Sequence, residues 1–335
     1  MPYAKYKFKP GIDREGTDYS NEGGWYDANL VRFRKGRPEK IGGWKKSTTN
    51  SYLGTGRALH GWVDLAGTHY LGIGTTYKYY VELGSSFHDI TPIRTTTTGS
   101  ATFTCTSGSS TVSVTDASNG AVKNDFVTFA SAATLGSSNI TAAVLNQEYQ
   151  IATITSSNVY TIVAKDTDGD EVTADASVTG GGGGSTTAAY QINVGLDVYV
   201  EGTGWGMGTW GAGGWGSVGT LDDTNQLRLW SHDNFGEDLI MNVRAGGIYY
   251  WDESGGTGAR AVALSAISGA ILTPTKALQV LVSEKDRHVI CLGADPLNAG
   301  GTARTGAVDP MFIAWSDQEN AADWEPKATN TAGSL

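Results

Sequence analysis

Residues 226–252 read QLRLWSHDNFGEDLIMNVRAGGIYYWD, and this stretch decides the fold. Leu227 and Leu229, then Leu239, Met241 and Val243, recur at every second position, the period of a strand with one buried face. Ala245, Gly246 and Gly247 supply the backbone freedom of a turn, and Ile248, Tyr249, Tyr250 and Trp251 restart a strand at once. Three such short strands cannot bury their apolar faces alone and need neighbours of the same kind on both sides. They read as part of one blade of a β-propeller. The chain as a whole is expected to be all-β, a partial or split β-propeller body with an inserted β-sandwich or barrel domain.

The composition agrees with that class. The 335 residues include 46 glycines and only 17% charged side chains, which fits many short strands joined by glycine turns better than an α/β enzyme. No apolar run is long enough to cross a bilayer as a helix, so no stable membrane insertion is expected. The opening MPYAKYKFKPG lacks the apolar core of a signal peptide. Cys105 and Cys291 show no metal or redox spacing and are expected to be thiols in a reducing compartment. The net charge of −10 is uneven. Residues 1–50 hold 11 Lys+Arg against 6 Asp+Glu, a balance of +5, which leaves −15 for the remainder. An acidic body argues against a tight grip on nucleic acid, though an acidic lumen would let a phosphate backbone slide past. Solubility alone also accounts for such acidity.

Outward from 226–252, three regions follow. Residues 1–56 read as an arm ending in strands, where Leu30, Val31 and Phe33 can face inward while Arg32, Arg34 and Lys35 face out, with a turn at Gly36, Arg37 and Pro38. The basic set Arg32, Arg34, Lys35 and Arg37 is a candidate for docking onto an acidic partner or neighbouring subunit; a solvated strand face reads equally well. Residues 57–94 hold four strand-length segments, and together with 190–335 they amount to about four blades. Between them, residues 95–189 are rich in Ser, Thr, Ala and Val, contain no Trp, and read as an inserted small β domain. Trp230-Ser231 and Trp315-Ser316, 85 residues apart, hint at a two-blade repeat.

Patterns that carry chemistry are few. His60, His69 and His88 lie on separate segments without ligand spacing, so no metal is expected. Asp166, Asp168, Asp170 and Glu171 imitate a calcium loop, but the glycine is misplaced and an Asp-Gly turn explains them more simply. Asp222 with Asp223, and Glu237 with Asp238, suit acidic turns better than a glycosidase pair. Neither a nucleophile motif nor a cofactor motif is present, so no enzymatic activity and no cofactor are expected. Trp205, Trp210 and Trp215, five apart in a glycine-rich stretch, read as a loop that packs on the body, lines a lumen or contacts a partner.

One resemblance is carried by the arm. Gly11, Ile12, Asp13, Tyr19, Gly24 and Trp25, followed by NLVRFRKGRPEKIGGW over 29–44, resemble the opening of tail nozzle proteins of short-tailed bacteriophages, also called tail tubular protein B or packaged-DNA stabilisation (tail hub) proteins. Residues 57–93, 226–252 and the segment with Trp315, Ser316, Asp317, Asp323 and Trp324 are similar to that family as well. The resemblance implies a homo-hexameric ring below the portal and adaptor, in contact with tail fibre or spike proteins. It implies a virion component, assembled in the host cytoplasm, that retains the packaged genome and conducts it during ejection. A carbohydrate-binding phage adhesin is the alternative reading, with the tryptophans stacking on sugar.

Overall fold

The computed structural model describes residues 8–17, 19–43, 45–196 and 227–335. Two compact units are present, Met1–Thr49 and Asn50–Leu335. In the first, β1 (Val31–Arg34) and β2 (Arg37–Lys40) form an antiparallel hairpin. Its two-residue turn places Lys35 at φ 50° and Gly36 at φ 75°, the doubly positive turn that matches the twist of paired strands. The turn therefore does not fall at Gly36, Arg37 and Pro38 as expected, since Arg37 and Pro38 pair within β2, and Leu30, expected inward with Val31 and Phe33, is exposed.

The second unit is all-β apart from single helical turns, and its first sheet is the meander β3 (Gly56–Val63), β4 (His69–Thr75), β5 (Tyr79–Leu83) and β6 (Ser86–Asp89). Nine strands follow: β7 (Ile93–Thr98), β8 (Thr102–Cys105), β9 (Thr111–Thr115), β10 (Phe126–Ala130), β11 (Glu148–Gln150), β12 (Thr153–Ser156), β13 (Val159–Val163), β14 (Val178–Gly181) and β15 (Thr187–Gln191). A four-residue helix, α1 (Ala142–Leu145), lies between β10 and β11, capped by the Thr141 hydroxyl. These strands make two antiparallel sheets, ordered β11-β10-β15-β7 and β12-β13-β9-β8-β14. Both contribute to one core that includes Phe103, Val114, Phe129, Tyr160, Ile162 and Tyr190. Because β7 pairs with β15, the chain leaves and re-enters this core side by side.

Two further meanders complete the unit: β16 (Trp230–Phe235), β17 (Asp238–Val243), β18 (Ile248–Trp251) and β19 (Val262–Ala263), then β20 (Gln279–Val282), β21 (Val289–Leu292), β22 (Ile313–Trp315) and β23 (Gly333–Ser334). The leading strand β16 packs against both other leading strands, β3 and β20. The middle sheet therefore lies between its neighbours and is buried on both faces. Leu239, Met241 and Val243 join Trp62, Tyr70, Tyr79 and Trp251 in one core. Ile240 and Ile248 turn the other way, onto Val280, Val289 and Cys291. Each fully buried aliphatic side chain stabilises by roughly 1.5–3 kcal/mol, so a two-sided strand such as β17 counts twice.

Three further expectations need correction. The first strand of the deciding stretch begins at Trp230; Leu227 makes only an isolated bridge to Leu196. One buried face was expected there, and both are buried, because Ile240 fills the second interface. The 85-residue repeat is not structural: Trp230 opens the leading strand of its sheet, whereas Trp315 ends the third strand of the next. The described residues outside 93–191 form three four-stranded sheets in this unit, the third spreading from Gln279 to Ser334 around a long excursion between Leu292 and Ile313.

Candidate functional site: the basic hairpin

All four docking candidates lie on the β1–β2 hairpin, and three of them are brought to its tip. Antiparallel partners share a face, so the pairs Arg32↔Glu39 and Arg34↔Arg37 project together, while Phe33↔Pro38 takes the opposite face. That opposite face is seated on aromatic packing: Trp25 lies 6.1 Å from the Phe33 ring and 5.6 Å from Phe8. On the projecting face, Arg32 Nε donates to Glu39 Oε2 at 3.1 Å, which uses the one carboxylate within the hairpin. Arg34 and Arg37 stand directly opposite one another with Lys35 in the turn between them. Like charges in directly opposed positions destabilise a ladder, and no carboxylate among the described residues pairs with any of the three. They line a shallow concavity of about 490 Å³ with Pro38 and Glu39. Pro38 lacks an N–H, so the exposed strand is a poor template for strand addition. The tip therefore presents cationic side chains, and a surface complementary to it is anionic.

Other ionisable clusters in the second unit are engaged within the fold. Lys78 is almost wholly buried, donating to Asp89 at 2.8 Å and Glu148 at 2.5 Å. Arg260 reaches the same Asp89 at 3.3 Å. Burial alone would push the Asp89 carboxyl up; Lys78 and Arg260 outweigh it and hold the carboxyl below its ordinary range. This network ties the first sheet to β11 and to the loop before β19. Asp116, fully buried, accepts from Thr97 at 2.5 Å, Ser100 at 2.6 Å and Tyr190 at 2.7 Å. Between the first and middle sheets, Tyr79 OH and His232 Nδ1 are 2.5 Å apart, and His60 lies over His232 at 5.2 Å. Burial pushes the His232 ring down to about 4 and His60 pushes the same way, while the Leu59 backbone and Asp233 oppose them.

None of these groups was singled out in the sequence except His60, since each network joins strands remote in the chain. The only available signal was the lone Lys78 inside the apolar run TYKYYVEL. The Asp166 turn is closed by the Lys165↔Glu171 bridge, and Asp166 Oδ1 accepts from the Asp168 and Asp170 amides at 3.0 and 2.9 Å. Glu237 accepts from Leu65 N, and Asp238 from Glu253 N and the Tyr250 hydroxyl. Among the described residues no group of three His, Cys, Asp or Glu is placed to hold a metal ion, and Cys105 and Cys291 are buried free thiols. Trp205, Trp210, Trp215, Asp222 and Asp223 lie outside the described residues.

No protein-family model matches the chain, and no curated protein matches its sequence. Among solved structures, the phage phi92 endosialidase is similar over 86% of this chain and 39% of its own length, at 11% identity and a TM-score of 0.23. The chain thus spans well under half of that protein, and a likeness this distant fixes neither fold family nor activity.

Proposed function

We propose that this protein is a structural component of a short-tailed phage tail, a nozzle or hub that assembles as a homo-hexameric ring and performs no bond chemistry. In this reading the three meanders are consecutive β-propeller blades with their leading strands toward the axis, and residues 93–191 are a β-sandwich inserted between blades. The ring sits below the portal and adaptor, meets fibre or spike proteins, and retains and then conducts the genome. The observation that carries the reading is the hairpin tip: among the described residues Arg34, Lys35 and Arg37 have no carboxylate partner, in a chain whose residues beyond 50 balance to −15. Packing of the leading strand β16 on both β3 and β20 supports the propeller arrangement.

The test is assembly as a function of salt and charge. Light scattering and negative-stain microscopy of the purified protein should show rings at low ionic strength. The triple reversal Arg34→Glu, Lys35→Glu and Arg37→Glu should leave monomers of unchanged thermal stability, because the three side chains are exposed. A protein that is monomeric at every salt concentration, or that binds glycans as a monomer, overturns the proposal.

A further inference from the structure

A groove at one end of the interface between the middle and third sheets has a composition unlike the rest of this acidic protein. It encloses about 430 Å³, within the range of small-ligand sites. One wall is aliphatic: Leu229, Leu278, Leu292 and Pro310. Among the described residues that line it, the charged one is a cation, Arg244, and none is a carboxylate. Arg244 follows directly on β17, where its backbone N–H donates to Leu229 O at 3.0 Å, and its side chain is exposed. Gln279 opens β20 beside it and is exposed as well.

The remaining polar groups of the lining are already used. Ser231 Oγ donates to Asn242 Oδ1 at 3.2 Å and accepts from Val280 N at 2.9 Å, and Trp230 Nε1 donates to Thr75 O at 2.8 Å. Among the described residues neither the Arg244 guanidinium nor the Gln279 amide makes a hydrogen bond or ion pair, so both retain their full capacity toward a ligand.

We infer that this groove binds a small organic monocarboxylate, the carboxylate on Arg244, a neighbouring polar group on Gln279, and the carbon skeleton against the aliphatic wall. The planar guanidinium fork matches a carboxylate in two parallel hydrogen bonds. A single positive charge is a poor match for a doubly charged phosphate, and the apolar wall disfavours a fully hydrated inorganic anion. The groove is built within the second unit from residues of the middle and third sheets, and the inference is independent of ring assembly. Two sources share this chemistry, an apolar carboxylic acid and an acidic sugar residue.

The experiment is ligand-observed NMR on the full chain, with sodium benzoate and sodium glucuronate as probes and benzamide and glucose as their uncharged counterparts. Binding of either carboxylate with a Kd of about 1 mM or tighter, about tenfold lower than that of its uncharged counterpart, supports the site. Benzoate alone identifies the apolar source and glucuronate alone the sugar. Arg244→Gln should weaken the bound probe about tenfold without moving the thermal midpoint, since the side chain is solvent-facing. Gln279→Trp, which fills the groove while leaving the guanidinium in place, should abolish binding. No binding of either carboxylate at about 10 mM, or unchanged binding by Arg244→Gln, overturns the inference.

Discussion

Acidification should loosen the contact between the first and middle sheets, with His232 as the group responsible. The ring lies in that contact with its Nδ1 against the Tyr79 hydroxyl, and His60, Asp233, Asn234 and the Leu59 backbone surround the pair. Tyr79 is fully buried, and burial also raises its own hydroxyl well above the ordinary range, so it remains a neutral partner. Burial and His60 hold the folded His232 at about 4, against an ordinary value of 6.5 in the unfolded chain. Between those values the unfolded state takes up a proton that the folded state refuses. Stability from this site is therefore intact above about 6.5 and is lost as the pH falls toward about 4. By linkage the loss is about 2 kcal/mol at about pH 5 and approaches about 3 kcal/mol at lower pH.

Urea unfolding followed by tryptophan fluorescence reads this directly, because Trp62, Trp230 and Trp251 belong to that core. With a slope of about 3 kcal/mol per molar, the midpoint should fall by about 0.7 M through this group between neutral pH and about pH 5. His232→Gln should start about 1 kcal/mol weaker at neutral pH, having disturbed the Tyr79 bond, yet show the flatter profile. The two curves should cross as the pH falls, since carboxylates titrate in both proteins and cancel in the difference. Parallel curves, or a His232 ring that titrates near 6.5 by NMR, would refute the reasoning.

Three further outcomes follow from packing and pairing. Lys78→Met should destabilise by about 3 kcal/mol in thermal unfolding, because Asp89 and Glu148 lose their buried cation and Arg260 compensates only Asp89 well. Gly74→Ala should cost about 1–3 kcal/mol and perturb tryptophan emission, since a Cβ there would meet the Trp230 ring at 2.6 Å. Asp116→Ala should lower the unfolding midpoint by an amount equivalent to about 3 kcal/mol, because the Thr97, Ser100 and Tyr190 hydroxyls lose their shared acceptor inside the fold; a loss below about 0.5 kcal/mol would show that water replaces it.

The basic hairpin was legible in outline because everything that makes it is local, though its turn was expected at Gly36, Arg37 and Pro38, where the proline marks a strand residue instead. A two-residue turn at Lys35 and Gly36 sets the register, and the register alone puts Arg34 opposite Arg37 and Phe33 on the seated face. The meanders were legible for the same reason, with alternation and glycine turns marking most strands within a few residues. Leu227 and Leu229 misled because alternation continues past the point where pairing stops; the ladder with β17 begins at Trp230.

What the sequence by itself determined was the β class, the short strands and the face on which the arm carries its cations, all consequences of period two and turn geometry over neighbouring residues. Only the tertiary structure decided what each face meets. Alternation separates Leu239, Met241 and Val243 from Ile240, but it cannot say that one set packs on Trp62 and Tyr79 and the other on Val280 and Val289. It likewise cannot place Lys78 on Glu148 or Tyr79 on His232, partners 70 and 153 residues apart. Such pairings arise from how whole sheets stack, and stacking depends on the side-chain volumes and polar groups of both surfaces at once, which no single stretch of chain contains.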